Sequence, residues 1–306
     1  MSLQKGSLCF PFFMERAELF KKLNEGIIDE RFHLFKNNVL KNKPLIDQFG
    51  GLRDIVPLLR GKDVIIAGAG SSIDREMDLL REAVSLSDVI LICADMSYLP
   101  LLKRHIVPDF VITCETSPND YFSVSDFSSH LLAFSCSSNS NLRRWKGRMS
   151  FYNWMMKGEY ENLWAKAGTA LGYVSTGSTV ISQAVSLALG CGIKSLALIG
   201  NDLAYKDSYY MKGTFRSMKD ELNYSRFATS DSVSMSYVRR ARQFVVKTPL
   251  GDFYSHNQFL AAKYWLEDLF SKSSFSLIEC SLPGCRGANI LNVKFDKYLK
   301  YLKERL

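Results

Sequence analysis

The stretch with the plainest chemical meaning is "DVIIAGAGSSIDREMDLLREA", residues 63 to 83, an apolar run that breaks into Gly68-Ala69-Gly70-Ser71-Ser72 and then resumes with helical spacing. Gly68 and Gly70 let the chain reverse tightly at a strand end and bring backbone N–H groups close to a ligand. Ser71 and Ser72 add hydroxyl donors at a helix N-terminus. The combination predicts an anion site, yet it fits neither common nucleotide fingerprint. A dinucleotide motif requires a third glycine where Ile73 stands, and a Walker-type loop requires Gly-Lys-Ser or Gly-Lys-Thr. Three carboxylates occupy comparable places further along: Asp95 ends "DVILICAD", Glu115 ends "DFVITCE", and Asp202 follows "LALIG". In a parallel sheet the C-terminal strand ends share one edge, so Ser71, Asp95, Glu115 and Asp202 can face one crevice. Asp95 reads either as the ribose-binding acid of a dinucleotide enzyme, which keeps hydride transfer with NAD open, or as the cap of a helix beginning near Ser97.

The elements that must position these residues follow from hydrophobic pattern. From residue 63, β-branched runs alternate with amphipathic segments: "DVIIAG", "DREMDLLREAV", "DVILICAD", "SYLPLLKRH", "DFVITCE", with further strands expected at "LLAFSC", "MSFYN", "SLALIG", "FVVKTP" and "FSLIECS". Parallel neighbours require a crossover, so this alternation predicts an α/β fold, a mostly parallel, Rossmann-like sheet with helices on both faces. Residues 175–192 read as a helix that Ser178 caps and that Gly190 and Gly192 close, and residues 255–272 and 293–306 read as two more helices. Residues 1–60 read as a helical N-terminal extension interrupted at Pro44 and Gly50-Gly51, and 61–306 as the nucleotide-binding domain. Within it, 203–243 carry 8 Lys or Arg against 4 Asp or Glu and little regular pattern, as expected of a basic, lid-like insertion.

Bulk properties narrow the partners. The 306 residues are 47% hydrophobic and carry a net charge of +8, which suits a globular protein with an anionic ligand. The tightest basic group, Arg143, Arg144, Lys146 and Arg148, is too sparse for a nucleic-acid footprint. Seven cysteines without CxxC spacing predict reduced, mostly buried thiols. No apolar stretch approaches the roughly 20 residues that span a bilayer, so no transmembrane segment is expected and the expected location is cytoplasmic.

Taken in order, "GAGSSID", "ADMSYLPLLKRHIVPDFVITCE", "TGSTVISQAVSLALGCGIKSLALIGNDLAY" and "PGCRGANI" resemble the Maf motility-associated-factor family of flagellin glycosyltransferase-like proteins. That family shares a domain with pterin-diphosphokinase (MptE)-like proteins, and its core resembles bacterial sialyltransferases of the variant GT-A type. The resemblance covers about residues 60 to 292. It implies transfer of a sialic-acid-like (nonulosonic) sugar from a CMP-linked donor to a protein or glycan acceptor, flagellin among them, with no cofactor required. By the same resemblance, Gly68, Gly70, Ser71 and Ser72 hold the nucleotide phosphate, Asp95 and Glu115 line the donor pocket, and Thr176, Gly177, Ser178 and Thr179 present hydroxyls and a helix N-terminus. Asn201 belongs to the same binding set, and Asp202 lies at the edge of the reaction centre.

Losing CMP from an anomeric carbon leaves negative charge on the departing phosphate, and the acceptor hydroxyl needs a base. Tyr209, Tyr210, Lys212 and Arg216 are the expected phosphate-facing donors. Ser71 stands where the family turn has Pro, Glu115 where it has Asp, and Tyr210 where many members carry a His; His256 or His105 can substitute for that base. Two alternatives remain at this level. One is a pterin-type pyrophosphokinase using ATP and Mg2+, with Asp95, Glu115 or Asp202 on the metal. The other is a catalytically silent nucleotide- or glycoprotein-binding module.

Overall fold

The computed structural model describes residues 12–124, 126–206, 208–214 and 244–305. In chain order the elements are α1 (Phe12–Phe49), α2 (Val56–Leu59), β1 (Asp63–Ala67), α3 (Met77–Val84), β2 (Val89–Ala94), α4 (Asp95–Leu102), β3 (Phe110–Thr113), β4 (His130–Phe134) and α5 (Asn139–Arg144). There follow β5 (Met149–Trp154), α6 (Glu159–Ala167), β6 (Tyr173–Val174), α7 (Val180–Gly190), β7 (Ser195–Ile199), β8 (Phe244–Thr248), β9 (Gly251–Ser255), α8 (Asn257–Ser271), β10 (Leu277–Glu279), β11 (Ile290–Asn292) and α9 (Phe295–Lys303).

Nine strands form one sheet in the order β11-β10-β7-β1-β2-β3-β4-β5-β6, and every pairing in it is parallel. Successive residues Val64, Ile65, Ile66 and Ala67 of β1 are all fully buried. An uninterrupted apolar strand of this kind has both faces covered, as a central parallel strand must. The topology decides where the site lies. From β1 the chain steps outward through β2 to β6, then α7 returns it so that β7 pairs with β1 on the opposite side. The crossovers that follow β1 and β7 therefore lead to opposite sides of the sheet, and a crevice opens at the C-terminal ends of these strands.

The N-terminal segment is built into the domain. Pro44 lies inside α1 without ending it, because Asn42 and Ile46 on either side of it are both buried, and such packing offsets the ~3 kcal/mol a mid-helix proline costs. Phe35 of α1 meets Phe134 and Trp154 edge-on, and those two rings stack at 4.0 Å. The expected strand "FVVKTP" forms, but as β8 of a separate antiparallel hairpin with β9. Gly251, at φ +103, turns the chain back within three residues of Thr248. A backbone bridge from Tyr205 to Tyr254 ties this hairpin to the start of the insertion. Strands β6, β9 and β11 and helices α5 and α6 carry too few patterned residues for the sequence reading to have found them. The six described cysteines are free. No described helix is long and apolar enough to cross a membrane.

Candidate functional site

At the switch point between β1 and β7 lies a cavity of about 330 Å³. Its floor is the glycine turn after β1 and the Gly200-Asn201-Asp202 turn after β7, and the two interlock. Gly68 N donates to Ile199 O at 2.8 Å and Gly70 N to Gly200 O at 2.8 Å. A side chain on Gly70 would place its Cβ 2.5 Å from Asp202 Cγ, and Gly200 turns at φ +65 with Gly68 O 3.0 Å from its own missing Cβ. Small residues recur here because two backbones pass at van der Waals distance. The Ser71–Arg75 segment is a 3-10 turn ahead of α3. Ser72 gives both its N–H, at 2.9 Å, and its hydroxyl to the carboxyl of Asp202. Ser71 Oγ donates to Ser208 O at 3.3 Å. The amides of Gly68, Gly70 and Ser72 are thus spent inside the protein.

The carboxyls have distinct environments. Asp95 begins α4; its Oδ2 accepts from Thr113 Oγ1 at 2.7 Å and its Oδ1 from Met96 N at 2.8 Å. Burial pushes it up to about 7, with the charge of Glu115 adding and the Thr113 and Met96 bonds opposing. Asp202 also rises to about 7, first through burial, against the pull of Ser72, with Glu279 adding to the rise. Glu115, at the exit of β3, accepts from Ser117 N at 2.8 Å and lies 3.9 Å from Arg31 of α1.

Two residues of the cavity wall each hold a buried polar side-chain atom with no hydrogen-bond partner. Asn201 Nδ2 and Ser178 Oγ are buried without a hydrogen bond, in residues 4% and 9% exposed that both line the cavity. An unsatisfied buried donor costs about 1–3 kcal/mol, so the pair marks where a polar ligand is expected. Ser178 sits at φ +70, and the expected cap of α7 belongs instead to Thr179, which accepts from Ser182 N. Ser178 lies in the left-handed region, not the extended conformation of a cap, and its hydroxyl bonds no N–H of the helix. Thr176 accepts from Gln183 Nε2 at 3.2 Å, and Gly177 packs against the Trp265 indole; neither lies on the wall.

The opposite wall is aromatic. Tyr209, Tyr210 and Phe259 line it, with Tyr209 4.5 Å from Tyr210 and 5.4 Å from Phe259 between ring centres. Behind them the Tyr209 hydroxyl hydrogen-bonds His256 Nε2. Burial lowers the pKa of His256, which favours its neutral form. Lys212 is exposed and set away from the cavity: its N–H donates to Asp74 Oδ2 at 3.0 Å. Arg216 lies outside the described residues. No group of three or more His, Cys, Asp and Glu side chains arranged to hold a metal ion occurs among the described residues. Among the wall residues that escape sequence reasoning are Arg31, Gln258 and Phe259. They come from α1 and α8, whose only sequence signal is helical periodicity.

Residues 37–208 match the family model described as 6-hydroxymethylpterin diphosphokinase MptE-like. Among curated proteins none matches the chain. The chain is similar in fold to the solved MAf glycosyltransferase from Magnetospirillum magneticum AMB-1, with a TM-score of 0.52 at 16% identity, over 80% of this chain and 37% of that one. It therefore spans little more than a third of that protein's length. The likeness concerns the fold, and it is the likeness that the ordered motifs around Gly68, Glu115 and Asp202 imply.

Proposed function

Because the chain belongs to the 6-hydroxymethylpterin diphosphokinase MptE-like family, we propose that its switch-point cavity binds a nucleotide and that the protein is a cytoplasmic nucleotide-sugar-dependent glycosyltransferase. The donor in this reading is a CMP-linked, sialic-acid-like sugar, the acceptor is flagellin or a surface glycan, and no cofactor takes part. The observation that carries the reading is the pair of unpartnered donors, Asn201 Nδ2 and Ser178 Oγ, in a crevice where α/β sheets bind nucleotides. The fold it shares with a glycosyltransferase supports the choice of chemistry.

In this reading the Tyr209–His256 pair supplies the base. Tyr209 is on the wall and His256 stands behind it. An acceptor hydroxyl gives its proton to the Tyr209 oxygen as Tyr209 passes its own to the neutral His256 ring, while the acceptor oxygen attacks the anomeric carbon and CMP departs with the bonding pair. His256→Gln and Tyr209→Phe are expected to lower kcat at least about 100-fold with donor KM little changed, the range general-base removal gives.

A second reading, a diphosphokinase using ATP and Mg2+, is favoured by the family's description and by the Asp95–Glu115 pair, in which the charge of Glu115 adds a repulsion to the burial that raises Asp95. A divalent cation held by those two carboxylates and the nucleotide phosphates would relieve that repulsion. The test is thermal stabilisation of the protein by CMP, CDP, ATP with Mg2+, and NAD. Stabilisation by cytidine nucleotides, followed by sugar transfer from a CMP donor, is expected. Stabilisation by ATP with Mg2+ alone would replace the first reading with the second, and CMP binding without transfer or hydrolysis would leave a silent binding module.

A further inference from the structure

Three carboxyl groups line the cavity, Asp95, Glu115 and Asp202, against one basic side chain among the described residues, Arg31. Arg31 precedes the segment that matches the family model, and its place over the cavity follows from how α1 is held. Asn38 Nδ2 donates to Thr116 O and Cys136 O at 3.0 Å each, and Asn42 Nδ2 to Ser135 O at 3.0 Å and Ser137 O at 2.8 Å. Those carbonyls lie just beyond β3 and β4, on the edge of the sheet that forms the cavity. Residues 31, 35, 38 and 42 are spaced by four, three and four and so form one stripe of the helix. Phe35 on that stripe is fully buried. The two asparagines thus fix both the depth and the rotation of α1, and Arg31 falls about 10 Å further along its axis, next to Glu115.

Arg31 is not consumed by that neighbour. The 3.9 Å separation from Glu115 Oε1 is too long for a hydrogen bond, and Glu115 Oε1 already accepts from Ser117 N. With its side chain 47% exposed, the guanidinium fork can turn to a planar oxyanion, which it is shaped to bind through two parallel bonds.

We propose that α1 completes the ligand site and that Arg31 receives the ligand's oxyanion, the nucleotide phosphate or the carboxylate of an acidic sugar. The inference rests on the nucleotide reading, and its test keeps the two apart. Binding of CMP, cytidine and a free nonulosonic acid is measured by calorimetry for the wild-type chain and Arg31→Gln. Arg31→Gln is expected to weaken CMP about tenfold or more, to leave cytidine unchanged, and to flatten the dependence of CMP affinity on ionic strength. Loss confined to the free acidic sugar assigns the same fork to the carboxylate. Arg31→Lys is expected to recover only part of the loss, because an ammonium cannot form the paired bonds. Equal affinity of wild type and Arg31→Gln for both anions, or an equal loss for cytidine, would overturn the assignment of Arg31. A wild-type chain that binds no nucleotide at all would instead overturn the reading on which it rests.

Discussion

Gly70→Ala separates two accounts of the glycine turn. Gly70 has φ −70 and ψ 150, a conformation any residue adopts, so alanine there carries no backbone penalty. The whole cost is contact: the new Cβ would meet Asp202 Cγ at 2.5 Å, Asp202 Oδ2 at 2.6 Å and Gly200 O at 2.7 Å. Two of those atoms belong to a fully buried carboxyl and the third to backbone of the adjoining turn, so none can give way cheaply. Overpacking of this kind costs ~1–3 kcal/mol, and loosening the two Ser72–Asp202 hydrogen bonds adds ~1 kcal/mol, for a total of ~2–4 kcal/mol. Urea unfolding is expected to show a lower midpoint at unchanged slope, with a Tm lower by about 3–6 °C. Gly190→Ala is the control, since nothing lies within 4 Å of that Cβ and it ends α7; it is expected to be neutral or slightly stabilising. A Gly70→Ala protein as stable as wild type, yet unable to bind nucleotide, would refute the packing account and restore the view that the turn is small so that a phosphate can approach.

Asp95 takes its proton more tightly folded than unfolded, at about 7 against an ordinary 3.8. The folded state therefore binds more protons across that window, and stability present below 3.8 is lost as pH rises towards 7. Asp95→Asn, which fixes a neutral group, is expected to gain on wild type steadily from about pH 4 to 7 and level off above; urea titrations at pH 4.5, 6 and 8 that show the gap shrinking would sink the assignment. Asn42→Leu removes two bonds to buried carbonyls and is expected to destabilise the chain by ~2–4 kcal/mol, measured by chemical unfolding. Gly177→Ala would drive a Cβ to 2.6 Å from the Trp265 indole and is expected to cost ~1–3 kcal/mol, with a shift in tryptophan emission as its direct report.

The sequence by itself determined the inner strands of the sheet, though not its edge strands β6 and β11. Val64, Ile65 and Ile66, and likewise residues 89–94 of β2, 110–112 of β3, 131–134 of β4 and 196–199 of β7, are apolar in unbroken runs, the pattern of strands covered on both faces. Because the runs are parallel, the ends carrying Gly68, Asp95, Glu115 and Asp202 had to meet at one edge. Local pattern therefore reached the place of the site, and the ordered motifs reached the family. Tertiary structure alone decided what each group does there. The Ser72 donors, which locally look poised for a phosphate, are taken by Asp202 in the turn after β7, 130 residues on. Thr179 caps α7 while Ser178 keeps an unpartnered hydroxyl, and His256 finds Tyr209, 47 residues earlier in the chain. Arg31 comes to the cavity because Asn38 and Asn42 find carbonyls 78 to 98 residues away. Periodicity reports which face of an element is apolar. Which donor meets which acceptor depends on distances between elements far apart in the chain, and these exist only once the sheet has closed its order.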